Sequence, residues 1–350
     1  MVTKANIGYR RLEEFVLGVL SALGVPEDHG KMTAEKLVMA HLRGFDTHGL
    51  PCLPGYADCL ADGRMNPVPA LEVSITHPWA VQVDGGNGLG QVAGTTAMQR
   101  CLESADTVGI GCATVKRSNH FGAASAYSLM ALEHDCIGIV TANASAVTAP
   151  FGAAEPLLGT NPLSVAVPTG RRAPFVIDMA TSEGARKKIR KALEDGCPIP
   201  PGWALDEAGE PTTDPGAALK GVMLPFGGMK GSGITILTDI LSGVLSGANF
   251  GGRVLSVFTN QERESGNGNF MLALKIDTFM PGTEFKSRMD EALDRIMALK
   301  PAKGIERVIY PGFMEHETQV RRMDSGVPLE KSLVETMSEL GDRFGVPFPE

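Results

Sequence analysis

The sequence predicts an α+β fold: a helical domain built from both ends of the chain, with a strand-rich domain inserted between them. Three observations carry that reading. Apolar residues recur at helical spacing near the N-terminus, the same spacing returns in the last segment, and short β-branched runs broken by Gly, Pro and Asn fill the stretch between.

Taken in order, Leu12, Phe15, Val16, Val19, Leu20 and Leu23 mark one face of a helix over residues 10–24, and Glu13 and Glu14 argue against a signal peptide behind Arg10-Arg11. Pro26-Glu27-Asp28 opens a second helix, which carries Met32, Leu37, Val38 and Leu42 until Gly44 stops it. From about residue 70 the runs LEVSIT, AVQVDG, GCATVK, CIGIVTAN, LSVAVPTG and PFVIDMAT read as strands, interrupted by helical segments near 90–107 and 123–134. Their uneven spacing does not require a parallel sheet. GARKKIRKALEDG reads as a helix, and CPIPPGWALDEAGEPTTDP as a long Pro-rich connection of the kind that is usually functional. GITILTDILSGVLSGANF is a strongly apolar helix expected to point Ile234, Leu237, Ile240, Leu241, Val244 and Leu245 inward. A strand in NFMLALKID, a helix over 283–299 and a last one in LEKSLVETMSELGDRFG complete the chain.

With 350 residues, 43% of them apolar and 21% charged, the chain can bury a sizeable core. A net charge of −8 argues against a nucleic-acid partner, which needs clustered cations, and favours a small-molecule role. No run reaches the roughly 18 apolar residues of a membrane span. The six cysteines form no CxxC pair and no zinc-ligand spacing, which suits reduced thiols in a cytoplasm and gives no metal site.

Two histidines sit in glycine-flanked loops. His48 in RGFDTHGLPCLPGY follows a helix end, and His120 in KRSNHFGAAS precedes a helix start, where the neutral imidazole is favoured as a proton acceptor or a ligand contact. A satisfied core histidine is the ordinary alternative for each. His316, among charges, is expected at the surface. Gly88-x-Gly90-x-x-Ala93 meets a loose dinucleotide fingerprint, but the following strand ends in Lys116-Arg117 instead of an acid, which favours a glycine turn without a ligand. FGGMKGSGI sets Lys230 among Gly227, Gly228, Gly231 and Gly233 before a helix; it fits either an anion pocket or close packing of the helix start, and it is not a P-loop. HExxH, GxSxG and EF-hand patterns do not occur.

The ordered segments RGFDTHG, DGGNGLGQ, SNHFGAAS, TANASAVTAPFG, LLGTNPLSVAVP, VIDMATS, IPPGWALDEAGEPTTDP, MKGSGITILTDILSGVLSGANFG and YPGF resemble the malate/L-lactate dehydrogenase-like oxidoreductase family, from about residue 10 to 345. That family spans ureidoglycolate and sulfolactate dehydrogenases, diketogulonate reductase and piperideine-2-carboxylate reductases. The resemblance implies a homodimeric, cytoplasmic NAD(P)-dependent enzyme with a non-Rossmann cofactor domain built on a large mixed or antiparallel sheet. The domains are then residues 1–75, 230–262 and 313–350 for the helical part, and 76–229 with 263–312 for the cofactor part. It implies further that His48 and His120 transfer the proton, and that Arg43, Thr47 and Cys52 meet the substrate. Ser145, Val176, Asp178, Met179, Ala180, Thr181, Ser182, Lys230, Gly231 and Gly312 would meet NAD or NADP.

The reaction implied is hydride transfer between nicotinamide and a 2-hydroxy or 2-oxo acid, an imidazolium giving the proton when the oxo acid is reduced. Alternatives are reduction of a cyclic imino acid, a hydroxy-ketone substrate without an α-carboxylate, and a non-catalytic NAD(P)-binding homologue. Three positions depart from the family pattern: Thr47 for serine, Lys187 for glycine at the cofactor rim, and Cys52 for an arginine that grips the substrate carboxylate. A thiol cannot supply that grip, so either another basic residue, such as Arg43, Arg64 or Arg186, takes over the anion, or the substrate is unusual.

Overall fold

A computed structural model describes residues 4–260 and 264–349. All seven runs expected as strands form one mixed sheet. In spatial order it holds Glu72–His77, Ala80–Asp84, Ile110–Ser118, Asn267–Lys275, Cys136–Ala142, Leu163–Val167 and Phe175–Met179. Ala80–Asp84 pairs parallel with Ile110–Ser118, and the other neighbours pair antiparallel. A parallel pair needs a crossover, and the helix Gly90–Val108 supplies it. Its buried face, with Ala93, Ala97, Met98, Cys101 and Ala105, packs on Val83, Val115, Val140 and Met271 of the sheet. Small residues on that face let the helix lie close: a Cβ on Gly111 would come 1.9 Å from the Cys101 carbonyl oxygen.

A second core gathers the helices Tyr9–Ala22, Glu27–Leu42, Leu53–Ala61 and Lys331–Phe344 around Leu12, Phe15, Leu37, Tyr56, Met337 and Leu340. The strand Lys4–Ile7 pairs antiparallel with Val327–Glu330, which sets the two ends of the described chain side by side. The proposed boundary at 262/263 lies outside the described residues.

The Pro-rich connection is not a bare loop. Ala204–Leu205, Pro211–Thr212 and Val222–Met223 form a small three-stranded sheet, which closes with the helices Arg186–Glu194 and Pro215–Lys220 over Ile189, Ile199 and Ala218.

The expectation for residues 233–250 is overturned. The helix Met229–Asp239, continued by a π-turn over Ile240–Val244, turns Thr235, Thr238, Asp239, Ser242 and Gly243 inward. Ile236, Leu237, Ile240, Val244 and Leu245 face out, 41–57% exposed. Hydrogen bonding and space decide the orientation. Ser242 Oγ pairs with Thr141 Oγ1 at 2.7 Å, Asn161 Nδ2 donates to the Thr235 carbonyl at 3.2 Å, and a Cβ on Gly268 would lie 1.9 Å from the Ser242 carbonyl. Branched side chains do not fit in that gap.

Candidate active site

The turn that carries His48 begins where Gly44, at φ +85°, ends the helix Glu27–Leu42. Asp46–His48 and Leu50–Cys52 form two 3-10 turns that run into the helix Leu53–Ala61. Asp46 fixes the first of them. Its carboxylate accepts from Arg322, Nη2 at 3.3 Å and Nη1 closer, and stands 3.0 Å from His41 Nδ1. Burial opposes the charge on Asp46, but the hydrogen bonds from His41 and Arg322 outweigh it and hold the carboxyl well below the usual range. Thr47, not Asp46, contacts the catalytic candidate: its Oγ1 lies 2.9 Å from His48 Nδ1.

His120 arrives from the end of the strand Ile110–Ser118, and its ring stacks on that of His48 with centroids 6.0 Å apart and planes 21° apart. Behind it the Tyr56 hydroxyl is 2.6 Å from His120 Nδ1, and Gln91 Nε2 donates to that hydroxyl at 3.1 Å. The Phe258 ring stands edge-on to His120 at 5.3 Å. The fingerprint glycines serve this packing. A Cβ on Gly88 would lie 2.4 Å from the Pro69 side chain, and one on Gly90 would lie 2.3 Å from the Asn119 carbonyl oxygen. Protein therefore fills the space a pyrophosphate would need.

Both imidazoles are held neutral. Desolvation, then the charge of Lys187, lowers His48 to about 4, although the residue keeps part of its surface exposed. Desolvation, then His48 and Lys187, lowers His120 to about 3. A standing imidazolium donor is thus not what the free site offers. Lys187 Nζ donates to the Thr47 carbonyl at 2.9 Å, and the Cys52 thiol rests on the same carbonyl at 3.6 Å. Burial raises Cys52 to about 11, so the thiol is neutral.

The other candidates are placed as follows. Arg43 is 2% exposed, donates from Nη1 to Gln319 at 3.1 Å, and lies near Asp178 and Glu315, whose charges act on it. Those neighbours are separate from the histidine pair. His316, expected at the surface, is half-buried near Arg43. Asp178 accepts from the Ser125 amide at 2.8 Å, tying its strand to the loop after His120, and burial raises its pKa. Gly312, at φ +90°, is pressed against Val176, whose amide donates to the Pro311 carbonyl at 3.0 Å. Thr235 Oγ1 donates to the Thr181 carbonyl at 3.4 Å, Ser182 Oγ to the Gly184 carbonyl at 2.8 Å. Val176 is buried, Met179 half-buried and Ala180 exposed along that edge, and Ser145 is half-buried in the loop after Cys136–Ala142. Gly231 is buried where a Cβ would collide with the Phe226 carbonyl at 1.6 Å. Lys230 beside it is exposed and, among the described residues, has no ion-pair partner.

Tyr56, Gln91 and the reach of Lys187 were not singled out by sequence. No local pattern marks them, because Tyr56 and Lys187 meet their partners across 64 and 140 positions. A cavity of about 770 Å³ lies among Arg43, Met39, Leu129, His316 and Gln319, and neither His48 nor His120 lines it. Among the described residues no cluster of His, Cys, Asp and Glu could hold a metal ion, and no helix is long and apolar enough to cross a membrane.

Comparison with known proteins adds a family. Residues 7–338 match the family described as malate/L-lactate dehydrogenase. The chain is 39% identical over 334 residues to the L-sulfolactate dehydrogenase of Methanocaldococcus jannaschii, covering 95% of this chain and 96% of that one. To a malate dehydrogenase of Pyrococcus abyssi it is 38% identical over 343 residues, covering 96% and 94%. The solved sulfolactate dehydrogenase from M. jannaschii superimposes with a TM-score of 0.92 at 38% identity, over 98% of each chain.

Proposed function

For this chain, which belongs to the malate/L-lactate dehydrogenase family and is an NAD(P)-dependent dehydrogenase, we propose hydride transfer between nicotinamide and a 2-hydroxy or 2-oxo acid at the His48–His120 crevice. The observation that carries the proposal is the pair of stacked imidazoles, 6.0 Å apart, with Tyr56 hydrogen-bonded to one and Lys187 on the Thr47 carbonyl beside the other. Malate and sulfolactate, named in the relatives, are both 2-hydroxy acids. The bound nicotinamide supplies or takes the hydride.

The chain's own residues manage the proton. Tyr56 stays protonated, its pKa raised by burial, and its hydroxyl hydrogen goes to His120 Nδ1, which leaves His120 Nε2–H as a donor to the substrate oxygen. With the Thr47 hydroxyl accepting from Nδ1–H, His48 Nε2 keeps a free lone pair and takes the proton of the hydroxy acid. His48 thus leads and His120 polarises. Assaying a panel of 2-hydroxy and 2-oxo acids with each cofactor, by the absorbance of the reduced nicotinamide, tests this reading; no turnover with any acid would refute it.

The base must be neutral, and His48 protonates only as pH falls through about 4. Thr47, His120, Lys187 and the neutral Cys52 thiol are the groups around it, and none is a carboxylate that would pull the value back up. The expected kcat/KM for hydroxy-acid oxidation therefore stays flat down to about pH 5, below the usual histidine range. A pH profile with its acid limb between 6 and 7 would contradict the assignment.

The cofactor reading draws support from Lys230, an ammonium with no ion-pair partner among the described residues, at the start of the helix Met229–Asp239, where free amides and the helix dipole favour a pyrophosphate. The segment from Val176 to Ser182, the strand Phe175–Met179 and the turn after it, connects that point to Gly312. Antiparallel pairing through most of the sheet and a protein-filled Gly88-x-Gly90 turn support a non-Rossmann cofactor domain, residues 76–229 with 263–312. The separate core of terminal helices supports a helical domain drawn from residues 1–75, 230–262 and 313–350. Six unbonded cysteines suit a reducing cytoplasm.

The outward stripe of Ile236, Leu237, Ile240, Val244 and Leu245 supports a homodimer, since an apolar strip of this kind is covered more often than left wet. Ile240→Glu is expected to shift the protein to a monomer in light scattering; an unchanged mass would place any dimer contact elsewhere.

A further inference from the structure

Resting on the 2-hydroxy acid reading above, we infer that Lys187 is the residue that grips the substrate carboxylate, in place of the arginine that Cys52 has displaced. The geometry comes first. Cys52 and Lys187 lie on different helices, yet the thiol and the ammonium converge on one acceptor, the carbonyl of Thr47, at 3.6 and 2.9 Å. A cation thus reaches the side chain at the end of the 3-10 turn Leu50–Cys52 from the first turn of Arg186–Glu194.

The other candidates are engaged elsewhere, not at the Thr47 carbonyl. Arg64 is bidentate on Asp62 and also donates to the Asn260 carbonyl. Arg186 Nη2 donates to the Leu219 carbonyl at 3.2 Å. Arg43 lies buried beside Gln319, Asp178 and Glu315. Lys187, by contrast, has no carboxylate partner among the described residues, and its charged neighbour is another cation, Arg190. An ammonium carries three donors, and one is committed to Thr47. Two remain, beside a pair of neutral imidazoles with no counter-ion.

A substrate anion completes this arrangement in two ways. It supplies the negative charge the crevice lacks, and it offsets the cation that disfavours imidazolium, so binding readies His48 to hold a proton. A lysine is a point charge on a flexible stem, unlike a planar guanidinium fork. Lys187 fixes the anion, while the donor and acceptor atoms of the histidines fix its orientation.

The test compares 2-oxo acids such as pyruvate and oxaloacetate with their methyl esters, in wild type, Lys187→Met and Lys187→Arg, with NADH and NADPH affinity read by fluorescence. Lys187→Met is expected to raise KM for the acids about thirtyfold, to change kcat less, to bring the acid-to-ester preference towards one, and to leave cofactor affinity unchanged. Lys187→Arg keeps the preference, and Cys52→Arg with Lys187→Gly restores it. If wild type reduces the acids and Lys187→Met keeps the same acid-to-ester ratio, the inference is wrong while the function stands. A wild type inert towards every 2-oxo acid overturns both.

Discussion

Replacing His48 with alanine is expected to lower turnover by about a hundredfold or more, the usual cost of losing a positioned acid–base group. His48 is the more exposed of the two imidazoles, and Thr47 Oγ1 lies 2.9 Å from its Nδ1. No neighbouring group substitutes for it. The Cys52 thiol is neutral, Tyr56 is held protonated and engaged with His120, and Lys187 is a cation. His120→Ala is expected to cost a similar factor, with a different signature: it also leaves the Tyr56 hydroxyl without an acceptor. Steady-state rates combined with fluorescence titration of the reduced cofactor check both, since binding should survive where turnover does not. Near wild-type kcat in both variants would remove the histidines from the chemistry.

Gly90→Ala is expected to disturb the fold and the histidine site together. The first residue of the helix Gly90–Val108 lies so near the His120 loop that a Cβ would stand 2.3 Å from the Asn119 carbonyl oxygen and 2.7 Å from that of His120. These are backbone atoms, which cannot swing aside as a side chain can. Relief requires the helix or the loop to move, at about 3 kcal/mol by the usual scale of overpacking. Calorimetry should show a melting temperature lower by roughly 5 °C or more, and activity should fall with it because the displaced loop carries His120. An unchanged melting temperature would mean that the two elements are not packed as described.

The strands were legible because each is a short β-branched run with Gly, Pro or Asn at its ends, as in CIGIVTAN and NFMLALKID. The turns that carry His48 and His120 were legible because glycine flanks both. The network around them was not. Tyr56 lies within an apolar helix, Gln91 behind a misleading Gly88-x-Gly90 signal, and Lys187 in a charged run that reads locally as a solvated face. The helix from Met229 shows a different limit: periodicity reveals a greasy stripe but not which surface it meets. Its small polar side proved to be the one that fits the sheet, through Ser242, Thr235 and Gly243.

Asp46 and Arg322 are 276 positions apart, yet their pairing sets the turn that aims His48. During synthesis the amino-terminal helices can gather well before Arg322 leaves the ribosome, so a nascent chain stopped short of it holds its leading histidine on an unanchored loop. The turn that carries His48 is therefore anchored only once Arg322 has been made, and removing the segment that holds Arg322 would release it.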